Sequence, residues 1–163
     1  MEFLDKISRL LNQVLIGVAG SFLIAMILLA CANIFLRLVW VPIRGTFELM
    51  GYFGAIVTAF ALGYTQIRRG HIAVDILVRL FSRRTRRILN GLNCFICMIF
   101  FALVSKQIAE YATTLRETGE VTETLHIIYH PFTYGVALGC AILSLVFLTD
   151  FLKAVFKKQE DSP

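Results

Sequence analysis

Val14-Leu-Ile-Gly-Val-Ala-Gly-Ser-Phe-Leu-Ile-Ala-Met-Ile-Leu-Leu-Ala-Cys-Ala-Asn-Ile-Phe-Leu36 decides the class of fold. Only Ser21 and Asn33 are polar in it. A helix crosses the hydrocarbon core of a bilayer with about 20 apolar residues. Backbone groups in lipid must be hydrogen-bonded within the segment or in a closed barrel. A barrel strand alternates with a period of two, and this run is apolar on every side, so it reads as a helix. It is longer than the apolar region of a secretory signal, and no small-residue cleavage site with a soluble domain follows, so it reads as a retained helix.

Three further blocks have the same character. They are Leu49 to Ile67, beginning at about Thr46; Ile88 to about Ile108; and Phe132 to Leu152. The chain is 58% hydrophobic, against about 45–50% for a soluble domain, and the excess sits in these blocks. The expected fold is an all-α membrane protein of four transmembrane helices, one integral membrane domain over residues 1–163.

Orientation follows from lysine and arginine, which concentrate on the cytoplasmic side. The link between the second and third blocks holds Arg68, Arg69, Arg79, Arg83, Arg84, Arg86 and Arg87 against one acid, Asp75. Lys6 and Arg9 precede the first block, and Lys153, Lys157 and Lys158 close the fourth. With four spans these regions share one side and hold 12 of the 16 basic residues. The expected topology therefore has both ends in the cytoplasm. The net charge of +5 reports that topology rather than nucleic-acid binding, because the arginines hug membrane ends and no soluble domain carries them.

The outer link from Val39 to Gly45 is short and contains Pro42, so the first two helices form an antiparallel hairpin. In the basic link His71, Asp75 and Arg79 recur every four residues, with Ile72, Ile76, Leu77, Leu80 and Phe81 mostly away from them. That pattern predicts a short amphipathic helix over 71–82 in the membrane interface. The third helix is expected to continue as a polar extension to about residue 120. Glu117, Glu120 and Glu123 make the second outer link acidic, a candidate docking surface or simply a solvated loop. The tail 157–163 reads as disordered.

Chemistry is sparse. A carrier places ionisable groups at mid-membrane, whereas here every charged side chain falls near a helix end, so the chain is not expected to carry a transport path by itself. Cys94-Phe-Ile-Cys97 is a CxxC, but it lies in an apolar helix without a base or water for thiolate chemistry. Cys31 and Cys140 are also in helices, and all four read as small hydrophobes. His71, His126 and His130 lie on opposite sides, so no haem, zinc or other cofactor is expected. Ala55, Ala59 and Gly63, and Gly135 with Gly139, are small residues at four-residue spacing, suited to close helix packing. Asn33 and Arg37 share a face at the outer end of the first helix, and Glu48 opens the second on the same side. An Arg37–Glu48 ion pair fixing the hairpin is expected, the alternative being a polar contact with a partner subunit.

Taken in order, Asn33-Ile-Phe-Leu-Arg37, Gly45-Thr-Phe-Glu48-Leu49, Arg69-Gly-His-Ile-Ala-Val-Asp75 and His130-Pro131 resemble the small, Q-type membrane subunit of tripartite ATP-independent periplasmic (TRAP) transporters. The resemblance covers nearly the whole chain. It departs from many relatives at Arg44–Phe47 and at Phe132, where a tryptophan is common. It implies a non-catalytic subunit of an ion-gradient-driven importer of carboxylates in the bacterial inner membrane. The implied partners are a large membrane subunit holding the substrate and sodium sites, a periplasmic substrate-binding protein, and the lipid bilayer. The chain ending after its fourth helix suggests that the large subunit is a separate chain. Two rivals remain at this stage: a four-helix protein that self-assembles through its GxxxG face, and a membrane thiol oxidoreductase using Cys94 and Cys97.

Overall fold

A computed structural model of the chain describes residues 2–68 and 83–156. These residues form four long helices: α1 (Glu2–Val39), α2 (Thr46–Ile67), α3 (Arg83–Thr118) and α4 (His130–Phe156). All four are long and apolar enough to cross a membrane. The predicted interfacial helix with His71, Asp75 and Arg79, and the tail 157–163, lie outside the described residues.

Three of the helices outrun the apolar blocks. Helix α1 begins at Glu2 rather than at Val14, and α3 runs unbroken from Arg83 to Thr118. Packing explains both. On α1 the buried positions Ser8, Asn12, Leu15 and Ala19 continue one helical face into the polar flank. On α3, Ala112 and Leu115 are buried within the polar extension. Helix α3 ends where Gly119 takes φ +67° and the Glu120 N–H donates to the Leu115 carbonyl (3.3 Å). This is a six-to-one closure that a left-handed glycine permits.

Helix α4 is the centre of the bundle: half of its most apolar stretch is buried, and it touches the other three helices. Antiparallel α3 is tied to it by two side-chain hydrogen bonds, Ser105 Oγ to the Ala137 carbonyl (2.8 Å) and Ser144 Oγ to the Met98 carbonyl (2.9 Å). Phe101 of α3 also stacks on Phe147 of α4 (5.9 Å). Such bonds hold helices together where lipid removes the hydrophobic drive to associate. Helices α1, α2 and α4 meet at Leu15, Ala19, Ile56, Ala59, Phe60 and Ile142.

Small residues set the closest approaches. A Cβ at Gly139 would lie 2.8 Å from the Ala59 carbonyl oxygen, so α4 runs against the α2 backbone there. A Cβ at Gly63 would collide with the Asn12 side-chain amide, so α1 sits directly on α2. Ala59 and Gly63 are buried, whereas Ala55 is exposed and faces away from this contact. The Gly135–Gly139 face is covered by Ile56, Ala59 and Phe60 of the same chain. It is therefore occupied within the bundle and does not offer the free self-association face of the first rival reading.

Candidate functional site at the loop end of the bundle

The two loops that connect α1 to α2 and α3 to α4 lie at the same end and form one polar cap. Its first part is local. The Asn33 side-chain oxygen accepts the Ile43 N–H (2.9 Å), folding the 40–45 loop back against the last turns of α1. The Thr46 hydroxyl donates to the Ile43 carbonyl (2.7 Å), and Gly45 takes φ +72° to start α2. A side chain at Gly45 would meet Leu125, so the tip of the α3–α4 loop is seated on this turn.

The second part is long-range. Glu48, in the first turn of α2, accepts the backbone N–H of Thr124 with one carboxylate oxygen (2.8 Å) and that of Leu125 with the other (3.3 Å). The loop presents both donors because it is tightly turned. The Thr122 N–H donates to the Ile127 carbonyl (3.0 Å), the Ile127 N–H to the buried Thr122 hydroxyl (3.1 Å) and the His126 N–H to the Thr122 carbonyl (3.1 Å). His126 adopts φ +52°, and Val121 pairs with Ile128.

This arrangement corrects the expected Arg37–Glu48 ion pair. Glu48 is engaged by the opposite loop, Arg37 is exposed, and no ion pair joins them. An ion pair does join Lys106 and Glu110 (3.5 Å), within one exposed face of α3. Two backbone N–H groups on a fixed loop satisfy a carboxylate at the membrane edge without either long side chain being immobilised against the other.

Below the cap an aromatic series runs into the bundle. Tyr129 stacks on Tyr52 (5.7 Å) and Tyr52 on Phe132 (5.4 Å). Phe132 then meets Phe53 (6.3 Å), and Phe53 meets Phe22 (5.2 Å). At its outer end the Tyr129 hydroxyl donates to Glu120 (2.7 Å). That bond, with desolvation and the negative charge of Glu120, raises the Tyr129 pKa to about 12. Glu120 thus has a structural partner, while Glu117 and Glu123 are exposed beside it.

The other end of the bundle is also polar. Gln66 of α2 donates to Asp150 of α4 (3.2 Å), and Arg68 lies over the Tyr64 ring (5.5 Å). Ser8 and Asn12 are buried there, and neither Ser8 Oγ nor Asn12 Oδ1 has a hydrogen-bond partner among the described residues. None of the four cysteines is in a disulfide, with Cys140 buried and Cys94 and Cys97 half-buried on α3. Sequence reading did not find Thr122, Thr124 and Leu125. What marked the place was an acid at a helix start facing a threonine-rich loop, and the contact itself goes to backbone groups.

Compared with known protein families, residues 26–157 match the tripartite ATP-independent periplasmic transporters, DctQ component. The chain belongs to the DctQ family. The match takes in the last turns of α1, the whole loop-end cap and all of α4, so the Glu48 contact lies inside the family's own segment. Comparisons with curated proteins and with solved structures give no match. As a DctQ component the chain is the small membrane component of a TRAP transporter, a multi-pass membrane protein of a non-catalytic family. The thiol oxidoreductase reading is thereby set aside. A tripartite transporter has other components, and these are its partners.

Proposed function

We propose that this DctQ component is the fixed scaffold of a bacterial inner-membrane importer of organic acids. In this reading it enlarges the anchored part of a large transport subunit and helps receive a periplasmic substrate-binding protein. One observation carries the reading. The bundle meets at Leu15, Ala19, Ile56, Ala59, Phe60 and Ile142, and the buried polar side chains among the described residues, Ser8, Asn12, Thr46, Thr122 and Thr149, are all uncharged. A carboxylate crossing such an interior would be desolvated without a counter-charge, which is prohibitive.

The distribution of lysine and arginine puts both ends of the chain in the cytoplasm and the cap in the periplasm. There, exposed Glu117 and Glu123 flank the Glu120–Tyr129 bond and offer an acidic surface to the binding protein. On the cytoplasmic face His71, Asp75 and Arg79 would lie in the interface against anionic headgroups. Transport itself, driven by an ion gradient, belongs in this reading to the large subunit.

Reconstitution tests it. Alone in liposomes the chain should move no organic acid under a sodium gradient, and uptake should appear when the large subunit and binding protein are added. Uptake by the lone chain would overturn the scaffold role. Single cysteines introduced in a cysteine-free background at Thr85 and Thr118 should label from the cytoplasm and from outside, respectively. The reverse result would invert the topology.

A further inference from the structure

The three most exposed large apolar side chains among the described residues fall within ten residues of one another: Leu38 (82%), Trp40 (83%) and Phe47 (86%). Arg37 and Arg44 are interleaved with them and are also exposed. The Asn33–Ile43 hydrogen bond folds the loop back, which sets Arg44 beside the same end of α1 that carries Arg37. The nearest acid in the sequence, Glu48, is held by Thr124 and Leu125. Among the described residues neither arginine forms an ion pair.

The depth of this cluster follows from the helix. Arg9 and Arg37 are 28 residues apart on α1, which at 1.5 Å per residue is about 42 Å. A bilayer including its headgroup regions is about 40–45 Å thick. With Arg9 at one headgroup layer, Arg37 reaches the other. Trp40, one residue beyond α1 with its N–H on the Leu36 carbonyl (2.7 Å), is at the level where tryptophan accumulates in membrane proteins.

We infer that Arg37, Arg44 and Trp40 form a binding site for the phosphate headgroup of an anionic membrane lipid, with Leu38 and Phe47 at the acyl boundary. Two guanidiniums without protein counter-ions match phosphate oxygens through charge-assisted, paired hydrogen bonds. The exposed rings and Leu38 continue the apolar outer surface of α1, where Ile34 and Phe35 are exposed in the preceding turn. A lipid is favoured over a protein partner because this surface is continuous with the flank of a membrane-spanning helix. The site needs only that the chain spans the membrane and is independent of which end faces the periplasm.

Trp40 is the chain's one tryptophan, so the intact protein reports on itself. The full chain is reconstituted in vesicles of phosphatidylglycerol and phosphatidylcholine carrying trace nitroxide lipids. Trp40 fluorescence should be quenched more by a headgroup nitroxide than by one deep in the acyl chain. Electron spin resonance of spin-labelled phosphatidylglycerol and phosphatidylcholine measures the preference of the protein for the anionic lipid. Arg37→Gln and Arg44→Gln should each weaken association at this site, by about fivefold for the loss of one basic residue near an anionic surface. Arg37→Lys, which keeps the charge, should retain most of it. Three results would overturn the site. One is an unchanged lipid preference in the Arg37→Gln, Arg44→Gln double variant with normal helix content. Another is quenching of Trp40 by aqueous iodide but not by the headgroup label. The third is loss of headgroup quenching once the large TRAP subunit is bound, which would give this face to a protein partner.

Discussion

Glu48 and Thr124, separated by 76 positions in the chain, are joined by a 2.8 Å hydrogen bond from the Thr124 backbone N–H to the Glu48 carboxylate. The bond locks the start of α2 to the tip of the α3–α4 loop, with Leu125 seated on Gly45 beside it. Substituting Glu48→Ala should release the loop. The Thr124 and Leu125 amides should then exchange hydrogen roughly an order of magnitude faster. Arg37→Ala should leave those amides unchanged, because Arg37 has no part in the contact. Equal acceleration by both substitutions would restore the ion pair.

Gly45 and Gly119 both have positive φ, and they separate two costs. At Gly119 nothing stands where a Cβ would go, so Gly119→Ala should cost only the backbone penalty, about 1–2 kcal/mol. Gly45→Ala carries the same penalty and also drives a methyl group into Leu125. It should be the more destabilising of the two and should loosen the loop as Glu48→Ala does. Thermal unfolding in detergent, ranked across the pair, checks this.

The α2–α4 crossing gives a similar contrast. Gly139→Ala would place a Cβ within 3 Å of the Ala59 backbone, and a backbone cannot rotate aside. We expect a loss of about 1–3 kcal/mol, the usual cost of overpacking. Gly135→Ala meets Ile56 and Phe60 at ordinary distances of 3.5–4.0 Å and should be close to neutral. Comparable losses at both positions would mean that α2 and α4 do not pack at this register.

Tyr129 supplies a pH signature. Its bond to Glu120 favours the neutral phenol and raises the pKa from the usual 10 to about 12. A raised pKa in the folded state means that the bond's contribution to stability is complete below pH 10. It is lost as pH rises through about 12. Glu120→Gln should move the ionisation of Tyr129 back toward 10, read as phenolate absorbance after subtraction of a Tyr129→Phe control. An unshifted titration would show that the loop does not hold the two residues together in solution.

The membrane-spanning runs were legible because burial in lipid demands an unbroken apolar surface, and composition alone displays that. The polar cap was only half legible. Asn33, Arg37 and Glu48 stood out as polar groups at a membrane edge, and two of the three do form fixed contacts. Their partners are the backbone N–H groups of Ile43, Thr124 and Leu125, and every residue but proline carries such a group, so side-chain identity cannot reveal them. The same limit hid Asn12. Nothing in the letters around it shows that Gly63 leaves room for its amide, a contact that exists only once α1 and α2 cross at that height. The polar extension of α3 was legible because its residues are good helix formers, whereas the start of α1 at Glu2 was missed because its one buried face, through Ser8 and Asn12, is narrow and polar.

The central place of α4 bears on how the protein is made. A membrane chain emerges from the ribosome in order, so α1, α2 and α3 reach the bilayer before the helix that touches all of them. Until α4 arrives, the Ala59 face of α2 is bare to lipid and Ser105 of α3 lacks the carbonyl it later binds. Biogenesis therefore passes through a three-helix stage with open polar and small-residue faces. A nascent chain stalled before His130 should be the form that membrane quality control and insertion chaperones recognise.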